Sequence, residues 1–450
     1  MLIEYVKSIK AKEFTATDGV KKFIAKIRAD KHNAILEVFE KSALEQARII
    51  DDKIKKGEKV GKLAGAPIII KDNILYKGHI ASAASKMLEK FVAPYNATIV
   101  NKMLAENAII LGRANMDEFA MGTTGENSAF GATQNAINPE HVAGGSSSGS
   151  AVAVALELCV AAIGTDTGGS VRCPAAYNGL YAIKPTYGTI SRYGLIAFAS
   201  SLDQAGPICK TARDTKLMFE VLHGKDENDG TTFDYVPATK DFDIKKLRIG
   251  RVDGIPYPDN YNKVFDFYKQ KGATIVNIKI KNLDLSLPAY YIIAPAEVCS
   301  NLGRFDGVKY TSSLNDLVKT RTQFFGKEVK RRIQLGNYVL SSGYFDAYYG
   351  KARKIQSSLK REFARAYEKC DCIIIPVTTG EAPKLNSVTS NPMDMYLIDL
   401  FTVTANIVGV PAMTVPFDVG AQGLPIGFQI MGKPFDENTL FALAEVYNGK

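Results

Sequence analysis

Residues 144–170 read Gly-Gly-Ser-Ser-Ser-Gly-Ser, then Ala-Val-Ala-Val-Ala-Leu-Glu-Leu-Cys-Val-Ala-Ala-Ile, then Gly-Thr-Asp-Thr-Gly-Gly-Ser. Two loops rich in glycine and serine flank one apolar stretch. Within it, residues 151–157 predict a helix and 159–163 a short strand buried on both faces. The same alternation extends outward. Upstream, residues 67–70 (Pro-Ile-Ile-Ile) form a continuous β-branched run that suits a doubly buried strand, with Lys71 at its carboxyl end. Residues 97–106 predict a helix and 108–111 another buried strand. Downstream, apolar runs at 247–252, 274–280, 372–377, 412–415 and 425–430 alternate with helical patterns, notably at 346–369. This predicts an α/β fold, a large mixed or mostly parallel sheet covered by helices. The first sixty residues read as a helical segment packed on that core: Ser42 to Glu45 has the capping-box pattern, and apolar residues recur at helical spacing until Gly57. Residues 61–450 read as one domain, and the polar stretch 224–243 as an insertion or long loop.

The 450 residues are 46% hydrophobic and 23% charged, a composition that supports a sizeable core and excludes wholesale disorder. No stretch reaches the roughly 18–20 uncharged apolar residues needed to span a bilayer, and the amino end lacks a signal-peptide layout, so the sequence reads as cytoplasmic with no membrane association. Six scattered cysteines predict reduced thiols. Cys370-Asp371-Cys372 has no matching second pair, and the histidines His32, His79, His141 and His223 fit no ligand spacing, so no metal site is predicted. The net charge of +9 comes from dispersed lysines rather than a tract suited to nucleic acid. Neither glycine-rich loop matches a P-loop or a dinucleotide fingerprint, which disfavours nucleotide binding.

What the loops can do is nucleophilic chemistry. A serine attacks an amide carbonyl only if a base takes its proton, and the neighbourhood of Ser170 offers no histidine. Lysine can serve where burial leaves its amine neutral, and Lys71 is the lysine best placed to be desolvated. Asp72 beside it is expected to push that pKa back up. The glycines before Ser170 allow a tight backbone whose N–H groups, those of Thr167, Gly168, Gly169 and Ser170, can face a developing oxyanion.

Taken in order, residues 144–150, 164–172 and 179–185 (Gly-Leu-Tyr-Ala-Ile-Lys-Pro) resemble the amidase signature family. The resemblance implies the amidase signature fold, a large mixed twisted sheet with helices on both faces. It also implies a triad of Lys71, Ser146 preceded by a cis peptide, and nucleophilic Ser170, with Ser146 relaying the proton. Ser148 and Cys173 depart from the usual glycine and glutamine, which bears on local loop packing. Further segments, at 115–122, 126–131, 187–194, 200–204, 301–307, 325–333, 340–344 and 432–436, are similar to the A-subunit family of glutamyl-tRNA(Gln) amidotransferases. That likeness implies a glutaminase in which Tyr290, Arg332 and Asp399 recognise glutamine. A guanidinium can pair bidentately with the α-carboxylate while a carboxylate holds the ammonium. It further implies a heterotrimer with two other amidotransferase subunits, named B and C in that family. Ammonia would pass to the B subunit, which would bind ATP, Mg2+ and most of Glu-tRNA(Gln), so that this chain itself carries no cofactor. The alternative is a free-standing amidase signature hydrolase of a small amide.

Overall fold

The computed structural model describes residues 1–234, 242–310, 316–388 and 392–448. The strands are β1 (Ile35–Val38), β2 (Pro67–Lys71), β3 (Ile109–Ala114), β4 (Ala161–Asp166), β5 (Tyr181–Lys184) and β6 (Gln204–Cys209). They continue with β7 (Arg248–Val252), β8 (Thr274–Ile278), β9 (Cys372–Pro376), β10 (Ala412–Val419) and β11 (Pro425–Gly432). All join one 11-stranded sheet in the order β1-β3-β2-β4-β6-β5-β10-β11-β9-β7-β8. It is mixed. β3, β2 and β4 run parallel, as do β9, β7 and β8, whereas β4, β6, β5, β10, β11 and β9 alternate in direction.

Side-chain alternation along a strand divides the apolar residues between two layers. In β9, Cys372 and Ile374 enter one core while Ile373 and Ile375 enter the other. The amino-terminal helices, with Leu2, Val6, Phe23 and Ile50, cover the first face. Helices Ser286–Leu302 and Lys351–Lys369, with Ile293, Val298, Leu359 and Phe363, cover the second. Among the described residues no helix is long and apolar enough to cross a membrane.

Two expectations shift. The first sixty residues are not purely helical, because β1 pairs antiparallel with β3 and forms one edge of the sheet. The third helix starts at Glu40 with Phe39 as N-cap, so Ser42 lies inside its first turn and donates to the Phe39 carbonyl at 3.1 Å instead of capping. Burial of Phe39 in the core fixes the earlier start. Part of the expected 224–243 loop, residues 235–241, lies outside the described residues. The cysteines are free, with Cys370 ending a helix and Cys372 opening β9.

Candidate active site

β2 and β4 lie side by side and parallel, so their carboxyl ends deliver Lys71 and the 165–170 loop to the same place. Lys71 Nζ is fully buried, 2.7 Å from Ser146 Oγ, 3.0 Å from Thr165 Oγ1 and 3.3 Å from the Thr165 carbonyl. Three acceptors suit an ammonium. In a neutral amine, the two N–H bonds can stay on Thr165 while the lone pair faces the Ser146 hydroxyl. Burial lowers the Lys71 pKa to about 7, opposed by the negative charges of Asp117, Asp166 and Asp203.

Asp72 is not among those charges. It stands in the turn just after β2, and its carboxylate accepts from Arg113 Nη1 at 2.7 Å, the Ala84 N–H at 2.8 Å and the Ser82 hydroxyl. The expected effect of Asp72 on the lysine is therefore corrected: it is held by these partners and neutralised.

Ser146 follows a cis Gly145–Ser146 peptide. Its loop is stitched to the loop of Ser170: the Ser147 N–H donates to the Ser170 carbonyl at 3.1 Å, and the Ser147 hydroxyl to the Thr165 carbonyl at 3.2 Å. Lys71 and Ser146 have no exposed surface, whereas Ser170 retains 7%, so of the three it is the one a substrate can reach.

The turn before Ser170 is braced from beneath. Asp166 lies between the Arg172 guanidinium, with Nε and Nη2 each at 3.0 Å, and Asn406 Nδ2 at 2.9 Å. Burial raises the Asp166 pKa, but Arg172 and these hydrogen bonds outweigh it and hold the carboxyl at about 2. The same carboxylate accepts the Gly169 N–H at 2.9 Å. This corrects the expected oxyanion set: Gly169 already donates to Asp166, leaving the N–H groups of Thr167, Gly168 and Ser170. Gly169 has φ +130°, and a side chain there would run into Thr402, whose hydroxyl donates to the Gly168 carbonyl at 2.6 Å.

Tyr290, Arg332 and Asp399 come from three distant segments and are all buried. A methyl group on Gly168 would lie 2.6 Å from the Tyr290 hydroxyl, so that ring walls the loop two residues before Ser170. Arg332 Nε donates to Glu328 Oε1 at 2.7 Å, and its guanidinium sits over Phe198, Tyr291 and Tyr396. Its Nη2 is buried with no protein partner, a donor awaiting an acceptor. Asp399 accepts the Tyr291 hydroxyl at 2.8 Å. Burial raises its pKa to about 7, with Tyr291 and Arg332 opposing. Glu328, Tyr291 and Tyr396 escaped the sequence reading, although Glu328 stands one helical turn before Arg332, a spacing that announces the pair. Thr402 gave no sequence signal. The two departures fit locally: Ser148 donates to Thr133 Oγ1 at 3.1 Å, and the buried Cys173 sulfur lies 3.9 Å from the Thr123 carbonyl.

Two serines and a buried lysine, gathered at strand ends of a mixed sheet, define the class: the chain belongs to the amidase family, whose model, described as Amidase, matches residues 18–441. Among its relatives it is 44% identical to the glutamyl-tRNA(Gln) amidotransferase A subunit of Caldanaerobacter subterraneus, over 97% of this chain and 93% of that one. Identity to the corresponding A subunit of Lachnoclostridium phytofermentans is 45%, over 98% and 95%. The crystal structure of the Thermotoga maritima A subunit superposes with a TM-score of 0.79 at 36% identity, covering 95% of this chain and 90% of that one. Native peptide amidase from Stenotrophomonas maltophilia gives a TM-score of 0.82 at 26% identity, covering 100% and 96%.

Proposed function

We infer that this chain is the glutaminase subunit of a glutamyl-tRNA(Gln) amidotransferase. The observation that carries the reading is a buried guanidinium and a buried carboxylate, Arg332 and Asp399, grouped with Tyr290 near the loop of Ser170. Arg332 Nη2 has no protein partner, the Asp399 carboxylate lies within electrostatic reach of that guanidinium, and the Tyr290 ring meets Gly168 in the loop of Ser170, a set that suits a ligand bearing both a carboxylate and an ammonium. Free glutamine is such a ligand. Held at that end, it presents its side-chain amide to the serine. The high identity to amidotransferase A subunits over nearly the whole chain supports the same choice.

In the proposed mechanism Ser170 Oγ attacks the amide carbon as its proton moves to Ser146, and the Ser146 proton moves to the neutral amine of Lys71. The C–O bond forms, and the carbonyl π electrons become an oxyanion facing the N–H groups of Thr167, Gly168 and Ser170. Return of the proton through Ser146 to the leaving nitrogen breaks the C–N bond and frees ammonia. Water then attacks the glutamyl ester by the same relay, releasing glutamate and restoring Ser170.

Ammonia then passes to the B subunit of a heterotrimer that the C subunit completes. On the B subunit, Glu-tRNA(Gln) activated with ATP and Mg2+ becomes Gln-tRNA(Gln), so neither cofactor has a place in this chain. In the assembled complex, Ser170→Ala should abolish glutamine-dependent amidation of Glu-tRNA(Gln) while leaving amidation from ammonium intact. Equal loss of both would refute this division of labour.

A further inference from the structure

The loop segment after β3 carries Asp117, which the mechanism above leaves unused although it is fully buried beside the relay. Its N–H donates to the Ser146 carbonyl at 3.2 Å. Its carboxylate accepts the Gly125 N–H at 3.1 Å and the Asn127 N–H at 2.9 Å, one on each oxygen. The carboxylate is also wedged between two glycines: a methyl group added to Gly122 or Gly145 would collide with it. The 123–127 loop it gathers also touches the segment that carries Asp399, since Thr123 Oγ1 donates to the Met395 carbonyl at 3.1 Å, four residues before Asp399.

Among the described residues Asp117 forms no ion pair. The charged groups facing Lys71 are Asp117, Asp166 and Asp203, and those facing Asp117 are Lys71 and Glu126. Asp166 is neutralised by Arg172. Asp203 accepts the Thr167 hydroxyl and two backbone N–H groups, with Arg192 facing it. Asp117 is therefore the one of the three carboxylates with no cationic partner other than Lys71. A proton arriving on the lysine converts a neutral amine beside this carboxylate into an ammonium, and an unneutralised negative charge in a water-poor site favours that product.

We propose that Asp117 is the positioning residue of the Ser146–Lys71 pair: it holds the Gly145–Ser146 unit through its N–H and its wedged carboxylate, and it stabilises the lysine ammonium formed at each proton transfer. The proposal rests on the functional reading above, in which Lys71 is the base. Removing the charge makes the ammonium harder to form. Lys71 then stays neutral to lower pH, so the acid limb of reactivity moves down, while the plateau falls because the charged product of proton transfer has lost its support.

The test uses the assembled complex and a fluorophosphonate. With this probe Ser170 Oγ bonds to phosphorus, fluoride leaves, and the serine proton passes to Lys71, with no glutamine involved. In Asp117→Asn the plateau rate of labelling should fall about tenfold, and its acid limb should move down by roughly half a pH unit or more. A lower plateau with an unmoved limb, as simple loosening of the loop would give, overturns the electrostatic role. Gly145→Ala keeps the charge but drives a methyl group into the carboxylate, and is expected to lower the plateau at least about tenfold. Wild-type labelling rates in Gly145→Ala would overturn the positioning role even if the asparagine variant fails to assemble. An unreactive wild-type Ser170 would instead overturn the functional reading itself.

Discussion

Replacing Arg332 by methionine removes the guanidinium while keeping an apolar stem of similar reach. The side chain lies over three rings, with its guanidinium carbon 5.5 Å from the centroid of Phe198, 5.4 Å from Tyr291 and 5.7 Å from Tyr396, and methionine can keep much of that packing. Glu328 loses one partner but retains Arg331 on its other oxygen, so no carboxylate is stranded and the folding cost should stay near ~1–2 kcal/mol. The functional cost is larger. Charge-assisted hydrogen bonds contribute about 1.5–3 kcal/mol each, and a carboxylate facing the vacated site loses the one from Nη2, so kcat/KM for glutamine should fall about 10- to 150-fold. The α-carboxylate is equally charged in the ground state and the transition state, so the loss should appear mainly in KM. The assay is ammonia release by the assembled complex over a wide range of glutamine concentration, with ammonium-dependent amidation as the control for assembly. A KM within twofold of wild type would refute the assignment of Arg332 to the substrate carboxylate.

Further expectations are open to direct measurement. In the proposed relay the base acts as a neutral amine, and burial lowers the Lys71 pKa to about 7, so kcat should rise with pH across neutrality; a flat profile through that range would argue against lysine as base. Asp399 titrates at about 7 and must be ionised to hold an ammonium, so KM for glutamine should climb as pH falls below neutral. Asp399→Asn should flatten that climb. Gly168→Ala drives a methyl group into the Tyr290 ring and hydroxyl and should lower kcat/KM at least about tenfold. Asp166→Asn leaves the buried Arg172 charge without its carboxylate, a loss expected to cost ~3–5 kcal/mol of stability, read as a lower urea midpoint.

The doubly buried strands were legible because they are continuous apolar runs: β2, β3, β9 and β11 all stand close to where their isoleucines place them. β5 and β6 were not, because Tyr181–Lys184 and Gln204–Cys209 carry lysine, glutamine, glycine and proline, whose places are set by the strands beside them rather than by any local pattern. β1 was hidden for another reason. It is four residues long and half-buried throughout, too short for alternation to register. In the site, Lys71 could be chosen because an apolar run precedes it, but the effect of Asp72 was misjudged: its carboxylate is taken up by Arg113, Ser82 and the Ala84 N–H, partners that adjacency in sequence does not reveal. Gly169 was misjudged because a glycine-rich turn advertises free N–H groups without revealing that one is taken by Asp166. The contacts of Thr402 with Gly168 and of Tyr290 with the same loop span more than a hundred positions, and no local pattern encodes them.

The order of strands in the sheet also sets an order of events. β10 and β11, the last strands to leave the ribosome, lie between β5 and β9. Until that hairpin arrives, the block formed by β1 to β6 and the block formed by β7 to β9 share no strand pairing, and Phe428 and Ile430 are missing from the apolar layer the hairpin enters. The serine loops belong to the first block, while Tyr290, Arg332 and Asp399 arrive with later segments. A nascent chain therefore carries its two serine loops long before Tyr290, Arg332 and Asp399 exist, and the hairpin acts as the keystone that joins two half-sheets into one. A chain cut before residue 412 should bring both halves into being and join neither.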